Sequence, residues 1–141
     1  MAKTLEIILL GGGHTHLVAV PTLMRALGGR ARVTVVSDRP TLLYSGMMPG
    51  WLAGQYAYED CAIDLARHVE AAGARFVRAT VDDVDFVGRT VAGLRFDLLS
   101  VNVGSSNAAD ATNPAAHLGV KPFAGFVAAW QALLAQWAGG R

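Results

Sequence analysis

Three glycines followed by His-Thr-His, Gly11-Gly12-Gly13-His14-Thr15-His16, form the densest cluster of chemically useful residues in this 141-residue sequence. Glycine lets a backbone turn tightly and approach a ligand with no Cβ in the way. The first N–H groups of a helix, at the positive end of its dipole, suit a pyrophosphate. The cluster lies between an apolar run and a helical pattern, so Gly11, Gly12, Gly13 and His14 read as the phosphate-binding turn of a dinucleotide fingerprint. Gly11 would make the turn and Gly13 the close approach. The third fingerprint position, ordinarily Gly or Ala so that helix and strand can pack closely, is His16. That departure keeps a plain structural turn as the competing reading.

His14 and His16 also form an H-x-H pair, but a metal site needs further ligands, and neither Cys61 nor His68 is obviously placed to supply one. Packing and hydrogen bonding at the loop are the expectation for both imidazoles, with no metal. A dinucleotide fold places an acid against the ribose hydroxyls about 20 residues past the glycines. Ser37 stands there, with Asp38 directly after it. Asp38 is therefore the candidate ribose contact, one position out of register. Ser37 with Arg39 would instead suit a 2′-phosphate, and an ordinary strand-to-loop turn is the bland alternative.

The elements that would position these residues follow from pattern. Leu5–Leu10 is a short, near-continuous apolar run, as in a parallel strand buried on both faces. A helix is expected over His14–Leu27, ended by Gly28-Gly29, with a kink or break near Ala19–Pro21 because proline removes a backbone bond. Arg32–Val36 completes a βαβ unit. Asp38–Asp60 shows no period and reads as a long structured loop. A helix is expected over Asp64–Ala72, a strand over Ala74–Ala79, a hairpin or three short strands over Thr80–Phe96, and a strand over Leu98–Val103. Asn107–Gly119 reads as loop and Phe123–Trp137 as a last helix. The fold class is α/β: a Rossmann-like half-domain with a parallel sheet and a small antiparallel hairpin or meander, in one domain over residues 1–141.

Composition narrows the function classes. Hydrophobic residues make up 52 % of the chain and charged residues 16 %, against about 25 % charged in an average soluble protein. Disorder is excluded. A net charge of +1 gives no basic stripe for nucleic acid. One cysteine permits neither an internal disulfide nor a redox dithiol. The apolar N-terminal run is too short to span a membrane, so no transmembrane segment and a cytoplasmic location are expected.

A more specific pattern is Tyr44-Ser45-Gly46-Met47-Met48-Pro49-Gly50 followed by Gly54-Gln55-Tyr56. With the glycine loop, Ile63-Asp64-Leu65 and Ala72-Gly73-Ala74-Arg75-Phe76, it resembles the N-terminal part of FAD-dependent pyridine nucleotide-disulfide oxidoreductases. The resemblance runs from Leu5 to Trp137. That group is similar to the non-proton-pumping NADH dehydrogenases, and some members are fused to selenide, water dikinase. The resemblance implies FAD as cofactor, with NAD(P)H as co-substrate of the complete protein. The flavin adenylate and pyrophosphate would lie on Gly11, Gly12, Gly13 and His14 and near Ser37 and Asp38. Ser45, Gly46 and Met47 would approach the ribityl chain or isoalloxazine, and the backbone of Val81 would face the adenine. Asn102-Val103-Gly104 stands where the family usually has Ala-Thr-Gly, so only Gly104 carries over, passing beside the flavin pyrophosphate.

The family's second glycine fingerprint, which opens an NAD(P)-binding domain, and its later Gly-Asp segment are not among these residues. The expected partner is therefore a missing NAD(P)-binding domain, and the chain alone is expected to be inactive. The rival readings are a non-catalytic nucleotide-binding or assembly module and a small NADP-binding domain. The last helix carries no charge between Lys121 and Arg141. Phe126, Trp130, Leu133, Leu134 and Trp137 form one stripe, and the opposite face, Ala124, Val127, Ala128, Ala132 and Ala135, is also apolar. A homo-oligomer through residues 123–137 is expected.

Overall fold

The computed structural model describes residues 3–105, 118–121 and 123–139. Along the chain, β1 (Leu5–Leu10), α1 (His14–Leu27) and β2 (Ala31–Ser37) form the first parallel unit. A short antiparallel pair, β3 (Thr41–Leu43) and β4 (Ala62–Asp64), brackets a 3₁₀ turn at Ser45–Met47, α2 (Met48–Leu52) and a second 3₁₀ turn at Glu59–Cys61. Then come α3 (Leu65–Ala71), β5 (Arg75–Arg78), the two-residue strands β6 (Val84–Asp85), β7 (Thr90–Val91) and β8 (Leu94–Arg95), then β9 (Leu98–Val101) and α4 (Phe123–Gly139).

The main sheet is parallel, in the order β5-β2-β1-β9. Strand side chains alternate between faces, and the core divides accordingly. Ile7, Leu9, Val33 and Val35 pack with Leu17, Val20, Leu65 and Val69 of α1 and α3. Ile8, Leu10 and Val36 pack with Val91 and Phe96 of the β6-β7-β8 meander. Both faces of β1 and β2 are thus covered, which is why neither strand alternates in sequence.

Helix ends follow local chemistry. The Asp64 side chain caps α3 by accepting from the Arg67 N–H at 2.9 Å. Gly28 closes α1 in the left-handed region, φ +52°. The expected break near Ala19–Pro21 is absent, and α1 runs through Pro21. Proline cannot donate to the Leu17 carbonyl four residues earlier. His68 Nε2 of α3 donates to that carbonyl instead, at 2.9 Å. The stretch Asp38–Asp60 also differs from a plain loop, since it holds β3, α2 and the 3₁₀ turns.

The chain divides into two compact units, Met1–Val103 and Gly104–Arg141. In the second, the Phe126 and Trp130 rings stack at 6.5 Å. Phe126 is buried and Trp130 half-buried, whereas Leu133, Leu134 and Trp137 are exposed, Trp137 at 80 %. Most of the expected loop over Asn107–Gly119 lies outside the described residues. Among the described residues, no helix is long and apolar enough to cross a membrane.

Candidate functional site

The glycine turn forms at the C-terminal end of β1 because that strand runs straight into it. The Gly11 N–H still donates to Val36 of β2, at 2.7 Å, and the Gly13 N–H donates to Asn102 beyond β9, at 3.2 Å. Gly11 takes φ +96°, and a methyl group there would run into the Asn102 backbone. A methyl on Gly12 would lie 2.6 Å from Leu65 Cδ2 and 3.1 Å from Ser37 Oγ, and one on Gly13 would strike the Asn102 side chain. The glycines are therefore needed for packing between β1, β2 and β9, whatever ligand lies outside. Replacing Gly13 consequently disturbs Asn102 as well as any approach to a ligand.

Gly13 is the N-cap of α1, with no side-chain cap, and no acid occupies the first turn. Its carbonyl accepts from the His16 and Leu17 N–H groups at 3.0 and 3.2 Å. The N–H groups of Gly12, His14 and Thr15 have no acceptor among the described residues. They form a small cluster of donors at the positive end of the helix dipole.

His16 explains how a fingerprint can lack its third glycine. It is 2 % exposed. Its Nδ1 lies 2.8 Å from the Gly11 carbonyl oxygen and its Nε2 lies 2.9 Å from Ser100 Oγ of β9. A carbonyl only accepts, so Nδ1 carries the proton; in the neutral ring Nε2 then accepts from the Ser100 hydroxyl. His14 is exposed and stacks on Tyr44, with ring centroids 5.0 Å apart and planes at 22°. Among the described residues, no group of three metal-binding side chains occurs. His68 is committed to Leu17.

The other expected site residues divide between those the fold gathers at the loop and those it leaves apart. Ser37 is buried beside Gly12, and its Oγ accepts from the Arg39 N–H at 3.3 Å. Asp38 is exposed and pairs with Arg39 at 3.4 Å. The 3₁₀ turn carrying Ser45, Gly46 and Met47 is tied to the second 3₁₀ turn, Glu59–Cys61, by the Tyr44 N–H, which donates to the Cys61 carbonyl at 2.8 Å. Gly46 lies under the Tyr44 ring, where a methyl would come within 2.9 Å of Cζ, and the stack on His14 brings this turn to the head of α1. Val81 is half-buried against the meander core and makes no backbone hydrogen bond among the described residues. Gly104 is exposed at φ +83° with open space around it. Sequence reasoning missed the roles of Asn102, Tyr44 and the Thr15 N–H. Asn102 and Tyr44 both sit inside the strings that carried the resemblance, but their contacts are long-range.

Strand order, glycine turn and helix together define a Rossmann-like half-domain. No family model matches the chain, and no curated protein does. Solved structures do match. The sulfide:quinone oxidoreductase of the hyperthermophilic bacterium Aquifex aeolicus is similar with TM-score 0.61 and 20 % identity, over 74 % of this chain and 25 % of that one. The water-forming NADH oxidase of Lactobacillus brevis, bound to NADH, gives 0.60 and 18 %, over 73 % of this chain and 25 % of that one. NDH2 of Plasmodium falciparum, in complex with NADH, gives 0.60 and 17 %, over 79 % and 24 %. These likenesses establish the fold, which is the one that the resemblance implied. The chain spans about a quarter of the length of each.

Proposed function

We propose that residues 1–141 are a single FAD-binding domain of an FAD-dependent NAD(P)H oxidoreductase, with the flavin pyrophosphate held at the Gly11–His14 turn. One observation carries this reading: the N–H groups of Gly12, His14 and Thr15 lie unpaired among the described residues at the head of an uncapped helix, beside Ser37 and the Tyr44–Met47 turn. Those donors suit a diphosphate. The exposed Asp38 carboxylate suits the ribose hydroxyls. The Asp38–Arg39 ion pair already engages the guanidinium and so favours a ribose diol over a 2′-phosphate. The Ser45–Met47 turn would lie toward the ribityl chain or ring, the unbonded Val81 backbone toward the adenine, and Gly104 beside the pyrophosphate.

When bound, the flavin supplies the hydride-accepting chemistry. The chain's own residues hold and orient it, and none is assigned a catalytic role. NAD(P)H would enter through a separate nicotinamide-binding domain. The buried, unpaired Cys61 fits a reducing, cytoplasmic setting. The exposed Leu133, Leu134 and Trp137 of α4 support self-association of the chain.

Adding FAD to the purified chain tests the cofactor. A yellow protein that releases flavin on denaturation is expected, whereas a protein that stays colourless supports a non-catalytic assembly module. Sedimentation of the wild type and of a Trp130→Glu, Trp137→Glu variant tests association. A wild type that stays monomeric at high concentration would remove it.

A further inference from the structure

The buried imidazole at the third fingerprint position is a joint between two elements. His16 sits in the first turn of α1, yet its ring nitrogens reach the Gly11 carbonyl of the preceding turn and the Ser100 hydroxyl of β9, at 2.8 and 2.9 Å. The same strand end supplies Asn102, which accepts from Gly13 and donates to Leu10, at 3.2 and 2.8 Å. The turn is thus held at Gly11 and Gly13, and the donors left unpaired among the described residues belong to Gly12, His14 and Thr15. The pattern is ordered: the bonded groups set the direction of the free ones. Gly11, at φ +96°, has no side chain to restrict its peptide, so the bond from His16 Nδ1 is what fixes where its carbonyl points.

We propose that His16 is a positioning residue for the phosphate-binding turn, acting through the Gly11 carbonyl, and that its bond to Ser100 serves only to orient the ring. The proposal rests on the flavin-binding reading above and assigns His16 no contact with the cofactor. A glycine here would let helix and strand pack closely. The histidine instead fills the space and takes over the fixing of the turn by hydrogen bonds.

The two ring nitrogens can be removed separately. In His16→Asn the side-chain amide nitrogen can occupy the place of Nδ1, keeping the bond to Gly11 and losing Ser100. His16→Gln can place its amide group where Nε2 was, keeping Ser100 and losing Gly11. Each variant gives up one buried hydrogen bond, so a purely structural role lowers both thermal midpoints alike, by about 3 °C, and affects ligand binding alike. The positioning role separates them. The Gln variant should bind FAD about tenfold more weakly than wild type, with the Asn variant and Ser100→Ala within about twofold.

Amide hydrogen exchange on the FAD-free chain gives an independent readout. The Gly13 N–H should lose protection in the Gln variant and keep it in the Asn variant. Equal FAD affinities in the two variants, together with equal Gly13 protection, would overturn the proposal. If the wild type takes up no FAD, the flavin reading fails, and the exchange contrast alone decides whether His16 sets the turn.

Discussion

The two ends of the parallel sheet handle their polar groups in opposite ways. At the end where the strands begin, charged side chains close on one another. Lys3 Nζ donates to Asp97 Oδ1 at 2.7 Å, the Glu6 N–H donates to Asp97 Oδ2 at 2.9 Å, and Arg32 Nε donates to Glu6 Oε1 at 2.8 Å. At the end where the strands finish, Asp38, Arg39 and Arg78 carry charge at the edge, but the N–H groups of Gly12, His14 and Thr15 have no acceptor among the described residues. The strands and the two cores between these ends are shared. The difference lies in what borders the strands: charged residues at the start, glycines and a helix N-terminus at the finish. The first end closes Lys3, Asp97, Glu6 and Arg32 on one another, and the second leaves the donors on which the proposed pyrophosphate site rests.

The strongest way to break this contrast is to put a side chain into the open end. Gly11→Ala must adopt a positive φ and drive its Cβ into the Asn102 backbone. Left-handed strain and overpacking together should cost about 3 kcal/mol. Thermal denaturation should show a drop of roughly 10 °C, and a drop near zero would mean that β9 does not close on the turn as described.

A second test concerns a polar group closed inside the fold. His68→Leu leaves the Leu17 carbonyl without the donor that replaces Pro21, at a cost of about 2 kcal/mol. Pro21→Ala restores an N–H at the right place in α1, so adding it to His68→Leu should recover about half of the loss. Strict additivity of the two substitutions would show that the histidine does not stand in for the missing helix bond.

A smaller effect is expected at the open end itself. Asp38→Asn removes an exposed carboxylate whose partner, Arg39, is also exposed. Stability should change by less than about 0.5 kcal/mol, while FAD titration should show about tenfold weaker binding. Loss of stability without loss of affinity would place Asp38 with the closed groups instead.

How far the sequence already contained this picture depends on the range of the forces involved. The bounds of β1 and α1 are set by residues next to one another, an apolar run, a glycine turn and a Gly28 cap, and the pattern marks them correctly. The meander was readable because alternation and turn residues are local too. The straight course of α1 through Pro21 was not, since the donor that repairs it lies in α3. The β3–β4 pair escaped for the same reason: each strand has three residues, and its partner lies across the Tyr44–Cys61 stretch. At the site, the glycines were recognisable by type, but Asn102, which Gly11 and Gly13 pack against, is joined to them only by the fold. His16 stood out as a departure from the fingerprint; its two bonds, to Gly11 and to a residue of β9, supply the reason.

The mildest test lies at the closed end. The Asp97 carboxyl is held below the usual carboxylate range, first by the hydrogen bond from Lys3 and then by the Glu6 N–H, with burial working in the opposite direction. A depressed folded-state pKa stabilises the fold above the unfolded value, about 3.9, and that contribution fades as pH falls through the lower folded value. The thermal midpoint of the wild type should therefore exceed that of Asp97→Asn near neutral pH, and the gap should narrow below about pH 4. Lys3 is mostly exposed, so the gap should be small and should shrink further in high salt. Lys3→Ala should remove most of the pH dependence while leaving FAD binding at the opposite end unchanged. A gap that widens toward low pH would reverse the sign of the linkage and show that the Asp97 carboxylate is not held by these donors.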